Sequence, residues 1–415
     1  MGQADHEVLE KSVRENFARL LETSSENVAI TPSTSYAITM AAKNLGLQSP
    51  RNCALVLENQ MASNVLPWQH CTQEAGGEVL VVPRPDGGDW DWASAIISRL
   101  EGPVGGRIGV VALPHVHWSD GSWVDLERVG PACARLGIPL VCDITQSAGA
   151  LPFSVPKIRP AFACASVHKW LLGPYGFSLL YVDPNWQTRS LPLDHHERRR
   201  VGAAHPLWDV VGAMTYSVPE DAAGASCCGV GGYPMELVPG AARLDAGGRC
   251  NPVGLPMLAP ALAAVTEWGP AAVQAAVAKK VAVIQQAASQ LGLVSPPNAR
   301  HFVGLYFPST FTGGSPSERQ ARKSAFWDQT LGQTSGNGPS AAATAGASPI
   351  VTPPEEGERR MFVVFRYLKK QGILCQLRNG CLRVAPYLFT TDQDLELFVT
   401  ALGNAVQLAL SDVPE

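Results

Sequence analysis

Residues Pro139 to Val182 read PLVCDITQSAGALPFSVPKIRPAFACASVHKWLLGPYGFSLLYV. An apolar run, Ile138 to Cys142, ends in Asp143, and Gln146 follows three residues later. Lys169 lies 26 residues beyond Asp143, within Ser166-Val167-His168-Lys169. Gly173-Pro174-Tyr175-Gly176 then turns the chain into a second apolar strand, Ser178 to Val182. Short buried strands that end in polar residues are where parallel α/β sheets place ligand chemistry, at the carboxyl edge.

Outward from this stretch, strand and helix signals alternate. Strands are expected at Val28–Ile30, Ala54–Glu58, Val79–Val82, Ile108–Leu113, Pro139–Asp143 and Leu179–Val182. Helices are expected at 7–22, at Tyr36–Leu45 and around Asp125–Leu136, where Pro131 is expected to break or kink the last. Such alternation predicts an α/β fold with a mainly parallel sheet wrapped by helices. Asp183 to Arg249 is Gly-, Pro- and polar-rich, reading as long loops over the sheet's carboxyl edge. Leu255–Leu293 is Ala-rich and helical with a break at Gly269-Pro270, and a strand is expected around Val303–Phe307. Gly313–Glu358 lacks periodicity and reads as a mobile low-complexity insertion. Helices at Arg360–Gln371 and Asp392–Leu410 close the chain.

Composition narrows the class. Of 415 residues, 46% are hydrophobic and 16% charged, which suits a compact globular chain and not a disordered one. The formal net charge of −4 argues for neither a nucleic-acid nor a membrane partner. The ten cysteines include no CxxC pair, and Cys227-Cys228 cannot form an ordinary unstrained bridge, so reduced thiols and a cytoplasmic setting are expected. The polar N-terminus has no apolar signal region, and no run of eighteen apolar residues occurs.

A lysine between an aspartate-tipped strand and a Gly/Pro turn suggests a Schiff-base lysine whose carboxylate partner serves a pyridinium nitrogen. Lys169 is the amine and Asp143 the carboxylate, with Gln146 beside them. Thr34 and Ser35 begin a helix whose free N–H groups could meet a phosphate.

The segment resembles the pyridoxal 5'-phosphate (PLP) enzymes of fold type I, in the class V aminotransferase and cysteine desulfurase superfamily. The likeness extends over about residues 25–410 outside the insertion, including LENQMASNVLPW (Leu57–Trp68) and GAARLDAGGRCNPVGLPML (Gly240–Leu258). It implies three regions: an N-terminal helix, 1–25, packing on the small domain; a large PLP-binding domain, 26–265; and a small C-terminal domain, 266–415. It implies Lys169 as catalytic residue and Thr34, Ser35, Asp143, Gln146, Ser166 and His168 as cofactor contacts. Arg383, in Gly380-Cys381-Leu382-Arg383-Val384-Ala385-Pro386, would hold the substrate carboxylate. Gly248 or Arg249 would reach a phosphate across the interface of a homodimer with a shared active site.

Departures from the desulfurases bear on the reaction. Met61 and Ala62 stand where those enzymes carry a ring-stacking histidine, and Trp118 falls near their cofactor-side asparagine. The loop that bears their nucleophilic cysteine is effectively absent here, so Cys375 and Cys381 read as small hydrophobes in strands. The resemblance therefore implies an amino-acid substrate, an external aldimine and a Cα carbanion. Lyase or epimerase-type chemistry ranks first, in secondary or sulfur metabolism. Aminotransfer, carbon–carbon bond formation, and a catalytically silent binding protein on the same fold are the alternatives. His115 and His117, two apart, tempt a zinc reading, but further ligands at a recognised spacing are missing, and no metal is expected. The Asp194–Arg200 stretch, DHHERRR, reads as a solvated loop or as a contact to an acidic substrate.

Overall fold

The computed structural model describes residues 3–85, 90–201, 235–311 and 356–411. The expected low-complexity insertion and Cys227-Cys228 fall largely or wholly outside these residues. The chain divides into two units, the first comprising residues 1–82, 91–118 and 124–274, the second residues 83–90, 119–123 and 275–415.

The first unit is built on a seven-stranded sheet. In chain order its elements are α1 (Gln3–Leu20), β1 (Val28–Thr31), α2 (Thr34–Leu45), β2 (Cys53–Leu57), α3 (Leu66–Glu74), β3 (Val79–Val82), α4 (Trp92–Glu101) and β4 (Ile108–Pro114). They continue with α5 (Leu126–Arg135), β5 (Leu140–Asp143), α6 (Val155–Ile158), β6 (Phe162–Ser166), β7 (Ser178–Val182), α7 (Pro184–Gln187) and α8 (Gly254–Trp268). The strand order is β1-β7-β6-β5-β4-β2-β3. Strands β2 to β6 run parallel, while β7 pairs antiparallel with both β6 and β1.

Each strand divides its side chains between two cores, because successive residues face opposite sides of a sheet. On β2, Leu55 and Leu57 join the core that holds α1 and α8, and Ala54 and Val56 join the core that holds α2 and α3. On β6, Ala163 and Ala165 go one way, Phe162 and Cys164 the other. Both faces are covered, which is why these strands read as unbroken apolar runs.

The structure corrects the placement of the N-terminal helix. Val13, Phe17, Ala18, Leu20 and Leu21 are buried in the same core as Leu255, Leu258 and Leu262 of α8, so α1 belongs to the sheet-bearing unit rather than the small one. Helix α5 also runs unbroken through Pro131. The proline forfeits only a bond to Glu127, an exposed residue of the first turn.

The second unit holds α9 (Pro270–Gln290) from Ala275 onward, β8 (Val303–Leu305), α10 (Glu356–Lys370), β9 (Gln376–Arg378), β10 (Cys381–Val384) and α11 (Asp392–Ser411). Its antiparallel sheet has the order β8-β10-β9, and α10 packs on α11. The joint between α8 and α9 is Gly269 at φ +76°, a conformation that suits glycine.

Candidate active site

The tips of β4, β5 and β6 meet the start of α2 around one pocket. It is lined by Thr34, Gln60, Met61, Ser63, Pro114, Val116, Trp118, Asp143, Thr145, Gln146, Ser166, His168 and Lys169. Asp143 closes β5, and its Oδ1 accepts a hydrogen bond from Thr145 N at 3.0 Å. Burial pushes the Asp143 carboxyl above the usual range, opposed by the bonds from Thr145 and by the positive charge of Lys169.

Lys169 follows β6 in a tight connection. Gly173 N closes back on Val167 O at 2.9 Å, and Leu172 N bonds Lys169 O at 3.2 Å. Leu172 takes the left-handed conformation at φ +57°. A Cβ on Gly173 would lie 2.7 Å from Leu258 Cδ1 and 2.8 Å from Val167 Cγ2, so the bare backbone is what lets this connection nest against α8. His168 stacks on Tyr175, with centroids 4.1 Å apart. Burial, then the charge of Lys169, holds its imidazole below the ordinary value, so it is neutral near pH 7.

Three hydroxyls gather at the N-terminus of α2. Thr34 Oγ1 lies 2.6 Å from Ser166 Oγ and 3.3 Å from Thr145 Oγ1, and Thr145 Oγ1 accepts from Ser166 N at 3.1 Å. Ser33 caps the helix, its Oγ accepting from Tyr36 N at 3.2 Å. Hydroxyls at a helix start are suited to an anionic ligand oxygen.

The opposite wall is apolar and bolted in place. The Glu58–Ser63 loop is tied to the end of β4 by Trp118 Nε1 donating to Asn59 O at 2.7 Å and by a 3.0 Å bond between His117 Nε2 and Glu58 O. Gln60 Nε2 adds a bond to Ala112 O, also at 3.0 Å. Pro114, Val116 and Trp118 face the pocket, while the intervening histidines face away. His115 Nδ1 meets Ser147 Oγ at 3.0 Å and its ring packs edge-on to Phe153, while His117 stacks on Trp92. Among the described residues no group of three or more His, Cys, Asp or Glu could hold a metal ion.

Of the residues that the sequence analysis singled out, Thr34, Met61, Trp118, Asp143, Gln146, Ser166, His168 and Lys169 are brought together in this pocket. Ser35, Gly248 and Arg249 are exposed and do not line this pocket. Gln60, Ser63, Pro114, Val116 and Thr145 were missed. Thr145 had a signal, since it stands between Asp143 and Gln146, but its hydroxyl matters only once β5 and β6 are paired.

In the basic loop, two arginines are held by other parts of the chain. Arg199 pairs with Glu10 and Asp245, and Arg200 Nη1 donates to Met235 O. Arg14 joins the same cluster, with Nη1 3.1 Å from Asp245 Oδ1, and that oxygen also accepts from Ile30 N at 2.8 Å.

In the second unit, Arg383 sits on β10 with its guanidinium 4.3 Å from the centre of the Phe302 ring. Burial draws its pKa down to about 10, so it remains cationic at neutral pH. Strands β9 and β10 are joined by Asn379-Gly380 alone, both at positive φ, the pattern of a tight type I′ turn. Cys375 and Cys381 are buried, and burial pushes the Cys375 thiol up to about 11 and that of Cys381 higher still.

Residues 2–195 match the family model described as aminotransferase class-V. Among curated proteins, a probable cysteine desulfurase of Methanothermobacter thermautotrophicus is 30% identical over 184 residues, covering 44% of each chain. An uncharacterized aminotransferase of Bacillus subtilis is 29% identical over 180 residues, 42% of this chain and 45% of that one. The chain spans less than half the length of these curated relatives. Two solved structures share the fold over 97% of this chain. The apo cysteine desulfurase of Thermococcus onnurineus NA1 has a TM-score of 0.64 at 19% identity, over 85% of its own length. The cystine C–S lyase C-DES, in complex with its product cysteine persulfide, has a TM-score of 0.66 at 16% identity, over 89% of its length. Residues 2–195 thus resemble the class V aminotransferases, and the whole chain shares its fold with the solved desulfurase and C–S lyase structures.

Proposed function

We propose that the chain is a PLP-dependent enzyme acting on an α-amino acid, with lyase-type chemistry. The observation that carries this reading is that Lys169 and the buried Asp143 line one pocket with Gln146 and the hydroxyl cluster. The donor set fits PLP: an amine for its aldehyde carbon, a buried carboxylate for its ring nitrogen, an amide for its phenolic oxygen and hydroxyls at a helix start for its phosphate. When bound, PLP supplies an electron-withdrawing ring that acidifies the Cα–H of an attached amino acid.

Asp143 keeps a proton on the ring nitrogen, and the bonds from Thr145 hold its carboxylate in place for that task. Lys169 Nζ would hold the cofactor's aldehyde carbon and would be the group that carries the proton of the substrate Cα. Thr34, Thr145 and Ser166 offer hydroxyls to the phosphate, Met61 and Trp118 wall the ring, and neutral His168 flanks Lys169. As the resemblance implies, Arg383 would offer its planar fork to the substrate carboxylate, and Gly248 or Arg249 of a second copy of the chain would reach the phosphate.

Elimination of a sulfur substituent from Cβ is the reading the relatives support best. Burial keeps the Cys375 and Cys381 thiols protonated, which disfavours a persulfide on either residue. Epimerase-type proton return, aminotransfer and carbon–carbon bond formation begin from the same proton removal. The test has two stages. Borohydride treatment of protein incubated with PLP should fix a pyridoxyl group on Lys169 in a peptide mass map, and a group fixed elsewhere would overturn the reading. A panel of amino acids is then scored for solvent deuterium at Cα, sulfide release and keto-acid release. Sulfide and keto acid together support elimination, whereas deuterium exchange alone points to epimerisation.

A further inference from the structure

Lys169 is followed by Trp170, a residue the proposed chemistry leaves unused. It is nearly buried, and its Nε1 donates to Gln146 Oε1 at 3.3 Å. An indole N–H is a donor with no acceptor capacity, whereas a carboxamide has a donor edge and an acceptor edge of almost the same shape. The only amide orientation that satisfies the indole therefore puts Oε1 toward Trp170 and turns Nε2 to the opposite edge. Gln146 lines the pocket, so which edge it shows there decides whether a ligand oxygen meets an N–H or a lone pair.

We infer that Trp170 is a positioning residue that locks the Gln146 amide so that Nε2 is presented to the pocket as a hydrogen-bond donor. The inference rests on the PLP reading, in which that donor meets the phenolic oxygen beside the Lys169 attachment point. A donor there stabilises negative charge on the oxygen and eases loss of the proton that the oxygen shares with the lysine nitrogen. Without the indole, the amide loses the donor that selects this orientation, and the carbonyl edge competes for the pocket. The oxygen then loses its donor and the shared proton is held to higher pH.

The experiment is a pH titration of the visible absorption band of the full chain loaded with PLP. Wild type, Trp170→Phe, Gln146→Leu and the double variant are compared, each first melted without PLP to show that it folds. The midpoint should rise by about one pH unit in Trp170→Phe, a charge-linked hydrogen bond being worth about that much. Gln146→Leu should rise similarly, and the double variant should rise no further than Gln146→Leu alone. Trp170→Met gives the same comparison should the phenylalanine variant fail to fold. An unchanged midpoint in Trp170→Phe would overturn the inference, and so would a Trp170 effect that persists in the Gln146→Leu background. If borohydride fixes no pyridoxyl group on wild-type Lys169, the PLP reading itself fails and takes the inference with it. A correctly attached cofactor with no shift sinks the inference alone.

Discussion

The sheet-bearing unit contains two buried polar clusters that use opposite designs. Around α1, Glu10, Arg14, Arg199 and Asp245 neutralise one another, and Asp245 also holds the backbone of Ile30. In the pocket, Asp143 is buried beside neutral hydroxyls and an amide, with Lys169 as the nearby cation. The first cluster satisfies its charges internally and fastens elements together. The second keeps a carboxyl above its usual range, a state that becomes useful when a cationic ligand group arrives.

This contrast can be broken or sharpened by substitution. Lys169→Ala should abolish the borohydride-fixed pyridoxyl adduct on the peptide that carries residue 169, while leaving the melting temperature of the cofactor-free protein almost unchanged. Mass mapping and calorimetry check the two halves, and a retained adduct on some other lysine would remove Lys169 from its role. Asp143→Asn should still take up PLP but lose on the order of 100–1,000-fold in turnover, because a neutral amide cannot hold the ring-nitrogen proton. Turnover within a few-fold of wild type would place Asp143 among the purely structural charges.

The α1 cluster should respond in stability instead of chemistry. Asp245→Asn leaves Arg14 and Arg199 without their shared carboxylate and should cost about 3 kcal/mol of unfolding free energy. PLP attachment to the folded fraction should persist. Denaturant titration reads the loss, and an unchanged midpoint would show that the cluster fastens nothing. The smallest effect concerns pH. Burial tends to raise the Glu10 carboxyl, but Arg199, Arg14 and His6 outweigh it and hold it below the ordinary 4.5. A depressed folded-state value contributes stability that is present above pH 4.5 and lost as pH falls through the folded value. Glu10→Gln should therefore flatten the melting-temperature curve below about pH 4.5. Parallel curves for the two proteins would refute the assignment.

The strand-tip residues were legible because their chemistry is local. Asp143 ends an apolar run, Lys169 precedes a Gly/Pro turn, and neither statement needs a partner. Strand β6, Phe162–Ser166, was not singled out, since Phe-Ala-Cys-Ala carries no β-branched residue to announce it. Gln60 and Val116 were illegible because each enters the site through pairing with distant segments, and Thr145, though flanked by Asp143 and Gln146, gains its role only from the pairing of β5 with β6. For α1 a helix was legible, but its partner was taken from the resemblance as the small domain, and only the packing of Val13, Phe17 and Leu20 on Leu255, Leu258 and Leu262 shows what it covers. The aromatic and apolar wall likewise depends on how the chain continues past β4.

That continuation places Pro114, Val116 and Trp118 on the pocket side and His115 and His117 behind them. The wall's character is thus a matter of parity. Removing Pro114 with Leu113 kept in place would move His115 and His117 to the pocket side and Val116 and Trp118 behind, trading a hydrophobic screen for a pair of imidazoles while altering the overall composition hardly at all. A mutational survey should find this segment forgiving of many substitutions and intolerant of any change in length.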